Sequence, residues 1–162
     1  MSDRTAAIEA VQARLEAERA WVVELTQRMV RVPTVNPKFQ PDPAINREAE
    51  LQALLEPVLQ EEGFATEQLD ALPGRPNLVG ERPGSEERSL ILCGHIDTVP
   101  VGAASDWTVD PFGGEVKDGR LYGRGAIDMK SGVAACIAAA RAIRQEGLEL
   151  EGRLALHAVV DE

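Results

Sequence analysis

Ser89-Leu90-Ile91-Leu92-Cys93-Gly94-His95-Ile96-Asp97-Thr98-Val99-Pro100 is the stretch on which the fold turns. Leu90 to Cys93 is apolar without alternation, the pattern of a strand covered on both faces. The strand then runs into Gly94-His95-Ile96-Asp97. In open α/β sheets the carboxyl ends of strands bind ligands, because the loops there diverge. On extended backbone, alternate residues project to one side, so Asp97 can approach the His95 imidazole. A carboxylate held near a histidine fixes its tautomer and strengthens it as a metal ligand. A loop histidine beside a helix-capping aspartate fits the same residues.

Downstream, Asp118-Gly119 lies between two short candidate strands and supplies the positive φ angles of a type I′ turn, which predicts a β-hairpin. Gly119 to Gly132 follows as a glycine-rich segment. Two phosphate-binding patterns fail on it. A P-loop requires glycine immediately before Lys130-Ser131, where Met129 stands. A dinucleotide fingerprint starting at Gly123 requires a small residue where Asp128 stands, and a carboxylate there would repel phosphate. What remains is an open turn delivering one acidic residue, Asp128, to the start of a helix, where taken alone it reads as an N-cap. That helix is rich in alanine, with Val133, Ile137 and Ile143 packing and Gly147 near its end. Arg153 to Val160 is another nearly continuous apolar strand. It leads to Asp161 and Glu162, which lie beside His95 if the strands are neighbours and are otherwise a solvated strand end.

Upstream, Ile8, Val11, Leu15, Val22, Leu25 and Met29 form a helical stripe interrupted at Glu18, so one helix or two is expected. Pro33 ends it, and Asn36-Pro37 to Pro43 reads as a proline-rich loop. A second helix begins near Asn46 and buries Leu51, Leu54, Leu55, Val58 and Leu59. Gly63 is placed for its C-cap, and Pro57 predicts a kink or an early break. Strands are expected over 65–72, 77–81 and 89–94. Strands alternating with helices predict an α/β domain with a mostly parallel central sheet and helices on both faces. A buried strand rarely ends a domain with nothing covering it, so a fragment is expected.

The chain has 162 residues, 44% of them hydrophobic and 27% charged, which suits a single globular domain. Its net charge of −10 argues against nucleic acid or an anionic membrane as partner. Cys93 and Cys136 are too few for a disulfide framework and are expected in the core. Met1-Ser2-Asp3-Arg4 lacks a leader's basic-then-apolar layout, and no apolar stretch is long enough to span a bilayer. A cytoplasmic protein is expected. Lys130-Ser131 reads as a solvated helix start, His157 as packed in or beside the sheet, and Trp107 with Pro111-Phe112 as the anchor of a loop.

Order and spacing add what single motifs do not. Val32-Pro33-Thr34-Val35-Asn36-Pro37, Arg75-Pro76-Asn77-Leu78-Val79, 94–100, 107–112, 119–132 and Asp161-Glu162 together resemble one family. It is the co-catalytic zinc amidohydrolase and metallopeptidase family of acetylornithine deacetylase, succinyl-diaminopimelate desuccinylase, aminoacylase and carboxypeptidase G. The resemblance implies a three-layer zinc-peptidase-like sandwich, with His95 as a metal ligand and Asp97 as the aspartate orienting it. It further implies that Asp128 bridges two divalent ions, with a cis peptide bond after it, and that Glu162 is the general base. The ions would be zinc, or cobalt or manganese in its place. Substrates would be N-acyl amino acids or small peptides, cleaved at a linear amide, with a weak lean to the deacetylase and desuccinylase branch.

The family also has a second glutamate after the general base, a later acidic ligand, a C-terminal histidine ligand and a lid domain that mediates dimerisation. Of its metal ligands only His95 and Asp128 are matched. The resemblance therefore casts residues 1–162 as the amino-terminal portion of a catalytic domain without its lid. Such a chain is expected to bind metal weakly and not to turn over, since a catalytic zinc site takes about three protein ligands. The contrasting expectations are a short non-catalytic binding or assembly protein that keeps the fold, and a nucleotide-binding domain, which Met129 and Asp128 disfavour.

Overall fold

The computed structural model describes residues 3–162, so Met1 and Ser2 of the stretch read for a leader lie outside the described residues. In chain order the elements are α1 (Asp3–Ala17), α2 (Arg19–Val30), α3 (Glu48–Glu61), β1 (Ala65–Leu72), β2 (Arg75–Arg82), β3 (Ser85–His95), β4 (Glu115–Lys117), β5 (Arg120–Tyr122), α4 (Ser131–Gln145) and β6 (Gly152–Val159).

The amino-terminal stripe divides at Glu18, whose carboxylate accepts a bond from Arg141 Nε on α4 at 2.9 Å. Beyond the break, α2 buries Leu25 and Met29, whereas α1 buries nothing and is tied down by Arg14 to Glu146 at 2.7 Å. Pro57 does not break α3. It stands on the solvent side with Ala53, so water can take the bond that the Ala53 carbonyl loses. Gly63, at φ +83°, ends the helix, and the Phe64 N–H donates back to the Leu59 carbonyl at 3.1 Å. Asp118 and Gly119 take φ +51° and +72° and join β4 to β5 as a hairpin.

The main sheet runs β1-β2-β6-β3. β1 pairs with β2 and β2 with β6 antiparallel, and β6 pairs with β3 parallel. The α/β architecture is as expected. The sheet is mixed, and its parallel pair is the one that positions the site. Because β3 and β6 run the same way with His95 opposite Val159, the chain leaves both strands at one edge.

The helices gather on one face. A Cβ at Gly80 would meet Leu59 and Phe64, and one at Gly94 would meet Val133 and Met129. Gly80 opposes Leu156 and Gly94 opposes Ala158, alternate residues of β6, so α3 and α4 cover the same side. On the other side Val79, His157 and Cys93 stand in register. Cover on two faces, read from the apolar runs, is therefore met on one among the described residues. Cys93, expected in the core, is exposed on the open side, and Cys136 packs against the core.

The proline-rich loop is less loose than its composition suggests. Val35 bridges to Thr98 in parallel, Asn36 N–H donates to the Thr98 carbonyl at 2.9 Å, and Thr98 N–H donates to the Thr34 carbonyl at 2.8 Å. Residues 34–36 thus line the exit of β3 like a short extra strand. No helix among the described residues is long and apolar enough to cross a membrane.

Candidate active site

Three chain segments meet at the edge where β3 and β6 end. β3 delivers His95 and then Asp97, β6 runs out into Asp161 and Glu162, and the kinked turn Ala126–Lys130 carries Asp128. His95 Nε2 lies 3.1 Å from Asp128 Oδ1 and 3.7 Å from Glu162 Oε2. Its Nδ1 lies 3.0 Å from the Asp97 carbonyl and 3.7 Å from Asp97 Oδ1. Asp97, Asp128 and Glu162 therefore surround the imidazole of His95, so the four sequence-selected residues come together. They line a cleft of about 150 Å³ with Phe39, Val99, Arg124 and Ile127.

Asp128 does not cap the helix, and the Asp128–Met129 peptide is cis. The turn depends on glycine: Gly125 has φ +76°, and a Cβ there would collide with Thr98 Cγ2. Trp107 anchors its loop as expected, donating Nε1–H to the Val101 carbonyl at 2.8 Å beneath the Arg124 guanidinium.

Lys130 is a correction. Expected at a solvated helix start, it is completely buried, and its Nζ donates to the Met29 and Val32 carbonyls at 3.0 Å each. Burial pushes its ammonium from 10.5 down to about 7, against the pull of the Asp97 carboxylate. The side chain ties the end of α2 to the turn that presents Asp128.

Asn36, Arg75 and Glu48 also support the site; the first two lie in stretches that carry the resemblance, but the sequence reading assigned none of the three a role there. Asn36 Nδ2 donates to Asp97 Oδ2 at 2.8 Å and to Asp161 Oδ1 at 3.1 Å. Arg75 donates Nη1–H to Asp161 Oδ1 at 2.9 Å and grips buried Glu48 through Nε at 2.6 Å and Nη2 at 2.9 Å. Arg75 and then Asn36 hold the Asp161 carboxyl below its usual range, while hydrogen bonding to Glu48 raises the Arg75 guanidinium. Lone residues in a loop and at a strand start show no periodicity; only their polarity beside apolar neighbours hints at burial.

The resemblance implies a metal, and the donors fit one side of its site. A neutral His95 that donates Nδ1–H to the Asp97 carbonyl leaves Nε2 an acceptor, as is Asp128 Oδ1. Two acceptors 3.1 Å apart require a shared cation, proton or metal. That spacing is close to the separation, about 3.3 Å, of two donors on a tetrahedral zinc ion. Among the described residues no three His, Cys, Asp or Glu side chains are grouped to hold an ion. His95 and Asp128 are the pair with the spacing to contribute to one.

The sequence and the fold place this geometry in a family. Residues 91–162 match peptidase family M20/M25/M40. Over 126 residues the chain is 48% identical to a succinyl-diaminopimelate desuccinylase of Cereibacter sphaeroides, covering 76% of this chain and 30% of that protein. Over 158 residues it is 35% identical to the N-formyl-4-amino-5-aminomethyl-2-methylpyrimidine deformylase of Bacillus subtilis, covering 96% of this chain and 36% of that one. Human carnosine dipeptidase 1 superposes with a TM-score of 0.83 at 25% identity, over 93% of this chain and 34% of that one. The M20 metallo-carboxypeptidase Sso-CP2 of Sulfolobus solfataricus shares the fold at 0.73 and 20% identity, over 85% of this chain and 30% of that one. This is a chain of the M20 peptidase type, and it spans about a third of the length of the curated relatives it matches.

Proposed function

We propose that the chain forms the amino-terminal part of the catalytic domain of a metal-dependent hydrolase that cleaves the amide bond of N-acyl amino acids or small peptides. The observation that carries this reading is the convergence of Asp97, Asp128 and Glu162 on His95 where β3 and β6 end. The relatives' names, a desuccinylase, a deformylase and a dipeptidase, all describe removal of an acyl group or cleavage of a peptide.

In this reading His95 Nε2 and Asp128 hold metal, and Asp97 fixes the imidazole from the Nδ1 side. Two divalent ions, zinc or in its place cobalt or manganese, would make a bound water acidic and polarise the substrate carbonyl. Glu162, two-thirds exposed and facing the cleft, takes the proton of the attacking water and returns it to the leaving amine nitrogen. The 162 residues alone bind zinc weakly and do not turn over, since the described residues supply two ligands where about three are needed.

A chimera tests the proposal, with this chain replacing its matching segment in the Cereibacter sphaeroides desuccinylase. It is expected to hydrolyse N-succinyl or N-acetyl amino acids with zinc, and to lose that activity in His95→Ala and Asp128→Ala. A folded, zinc-loaded chimera that cleaves neither N-acyl amino acids nor dipeptides refutes it.

A further inference from the structure

We infer that Asn36 is a positioning residue that couples the two strand exits of the site, acting on His95 through Asp97 and on Glu162 through Asp161; the inference rests on the hydrolase reading above. Asn36 is completely buried, and all of its side-chain polar capacity in the site is committed. Both amide hydrogens are used, one on Asp97 Oδ2 at 2.8 Å and one on Asp161 Oδ1 at 3.1 Å, while Oδ1 accepts the Lys38 N–H at 2.9 Å. A flipped amide would aim its oxygen at two carboxylates, so the rotamer is determined.

The consequence for Asp97 is a division of labour between its oxygens. Oδ2 is pinned by Asn36, and Oδ1 is buried without a hydrogen-bond partner 3.7 Å from His95 Nδ1. The Nδ1–H already donates to the Asp97 carbonyl at 3.0 Å, so the unpaired oxygen acts on it by charge, favouring a proton on the ring nitrogen that faces it. Asn36 therefore biases His95 toward the Nδ1-protonated tautomer and leaves Nε2 free on the cleft side. A neutral donor suits this position, because a cation here would neutralise the charge that Asp97 directs at the imidazole.

For Glu162 the coupling runs through its neighbour. Asp161 sits at φ +69°, a conformation that side chains rarely adopt, and is gripped by Asn36 and by Arg75. Arg75 is itself anchored on buried Glu48 of α3. Holding Asp161 determines where the next residue leaves the sheet.

The test uses the 162-residue chain and two readouts, the tautomer of the His95 ring from its 15N shifts at a pH where the ring is neutral, and zinc affinity from competition with a chromophoric chelator. Asn36→Ala is expected to shift His95 from Nδ1–H toward a mixture of tautomers and to weaken zinc binding about 10–100-fold. Arg75→Gln, which loosens Asp161 and leaves the amide in place, is expected to act in the same direction and less. Ile137→Val, a core substitution outside the hydrogen-bond network, is expected to lower stability and move neither readout. If folded Asn36→Ala keeps the tautomer and affinity of the parent, the inference is overturned. Should Asn36→Ala not fold, an Arg75→Gln indistinguishable from the parent in both readouts overturns it. His95→Ala separates the two claims, because unchanged zinc binding there defeats the metal-site reading itself.

Discussion

The candidate site has two halves built on different principles. Its inner half, His95 and Asp97, has side chains only 9% and 4% exposed, and Asn36 holds Asp97 from behind. Its outer half, Asp128 and Glu162, is 77% and 67% exposed and is placed by backbone, through the Ala126–Lys130 turn and the end of β6. The inner half belongs to the folding core, so changes there are paid for in stability as well as chemistry. The two outer side chains stand clear of the core, so substituting them is expected to leave stability nearly unchanged.

The largest expected effect lies beneath the turn that carries Asp128. Lys130→Ala strips the Met29 and Val32 carbonyls of their buried donor and leaves a cavity, at about 2–5 kcal/mol. Urea denaturation measures it, and a loss under about 1 kcal/mol would mean that the lysine is not part of the core. Gly125→Ala, at the hinge between the halves, is expected to cost about 1–3 kcal/mol from the positive φ and the clash with Thr98. Asp128→Ala and Glu162→Gln are expected to change stability by less than about 0.5 kcal/mol, while the first removes zinc binding and the second preserves it. A large stability loss in either would erase the distinction between the halves.

The smallest effect is electrostatic. Asp161 titrates below its ordinary value of 3.8 because Arg75 and Asn36 favour its carboxylate. Its contribution to stability is therefore present above that value and is lost as pH falls through the depressed one. Arg75→Gln should move the NMR titration of Asp161 back up, and an unmoved titration would show that the ion pair does not form in solution.

Much of this was legible in residue order. Asp118-Gly119 specified its hairpin because the turn demands positive φ at two successive residues, and few pairs accept that. The continuous apolar runs marked β3 and β6, and the resemblance selected His95, Asp97, Asp128 and Glu162. Asn36 was hidden in a proline-rich stretch that reads as loop, since its partners lie 61 and 125 residues away. Lys130 was misread because a lysine at a helix start is ordinarily solvated, and its burial depends on carbonyls 98 and 101 residues earlier. Cover on one face of the sheet was equally invisible, because an apolar run records that a strand is to be covered and not which elements do it.

By itself the sequence determined the local events: where helices stop, where the hairpin turns, and which residue types reach the strand ends. Backbone sterics and side-chain periodicity act over a few residues and need no partner. Only the tertiary structure decided that β3 and β6 lie side by side and parallel, so that their ends face one cleft. That pairing, and the buried network of Asn36, Asp97, Asp161, Arg75 and Glu48 behind it, joins groups distant along the chain. Their geometry follows from desolvation and hydrogen-bond satisfaction in the folded interior, which local sequence does not encode.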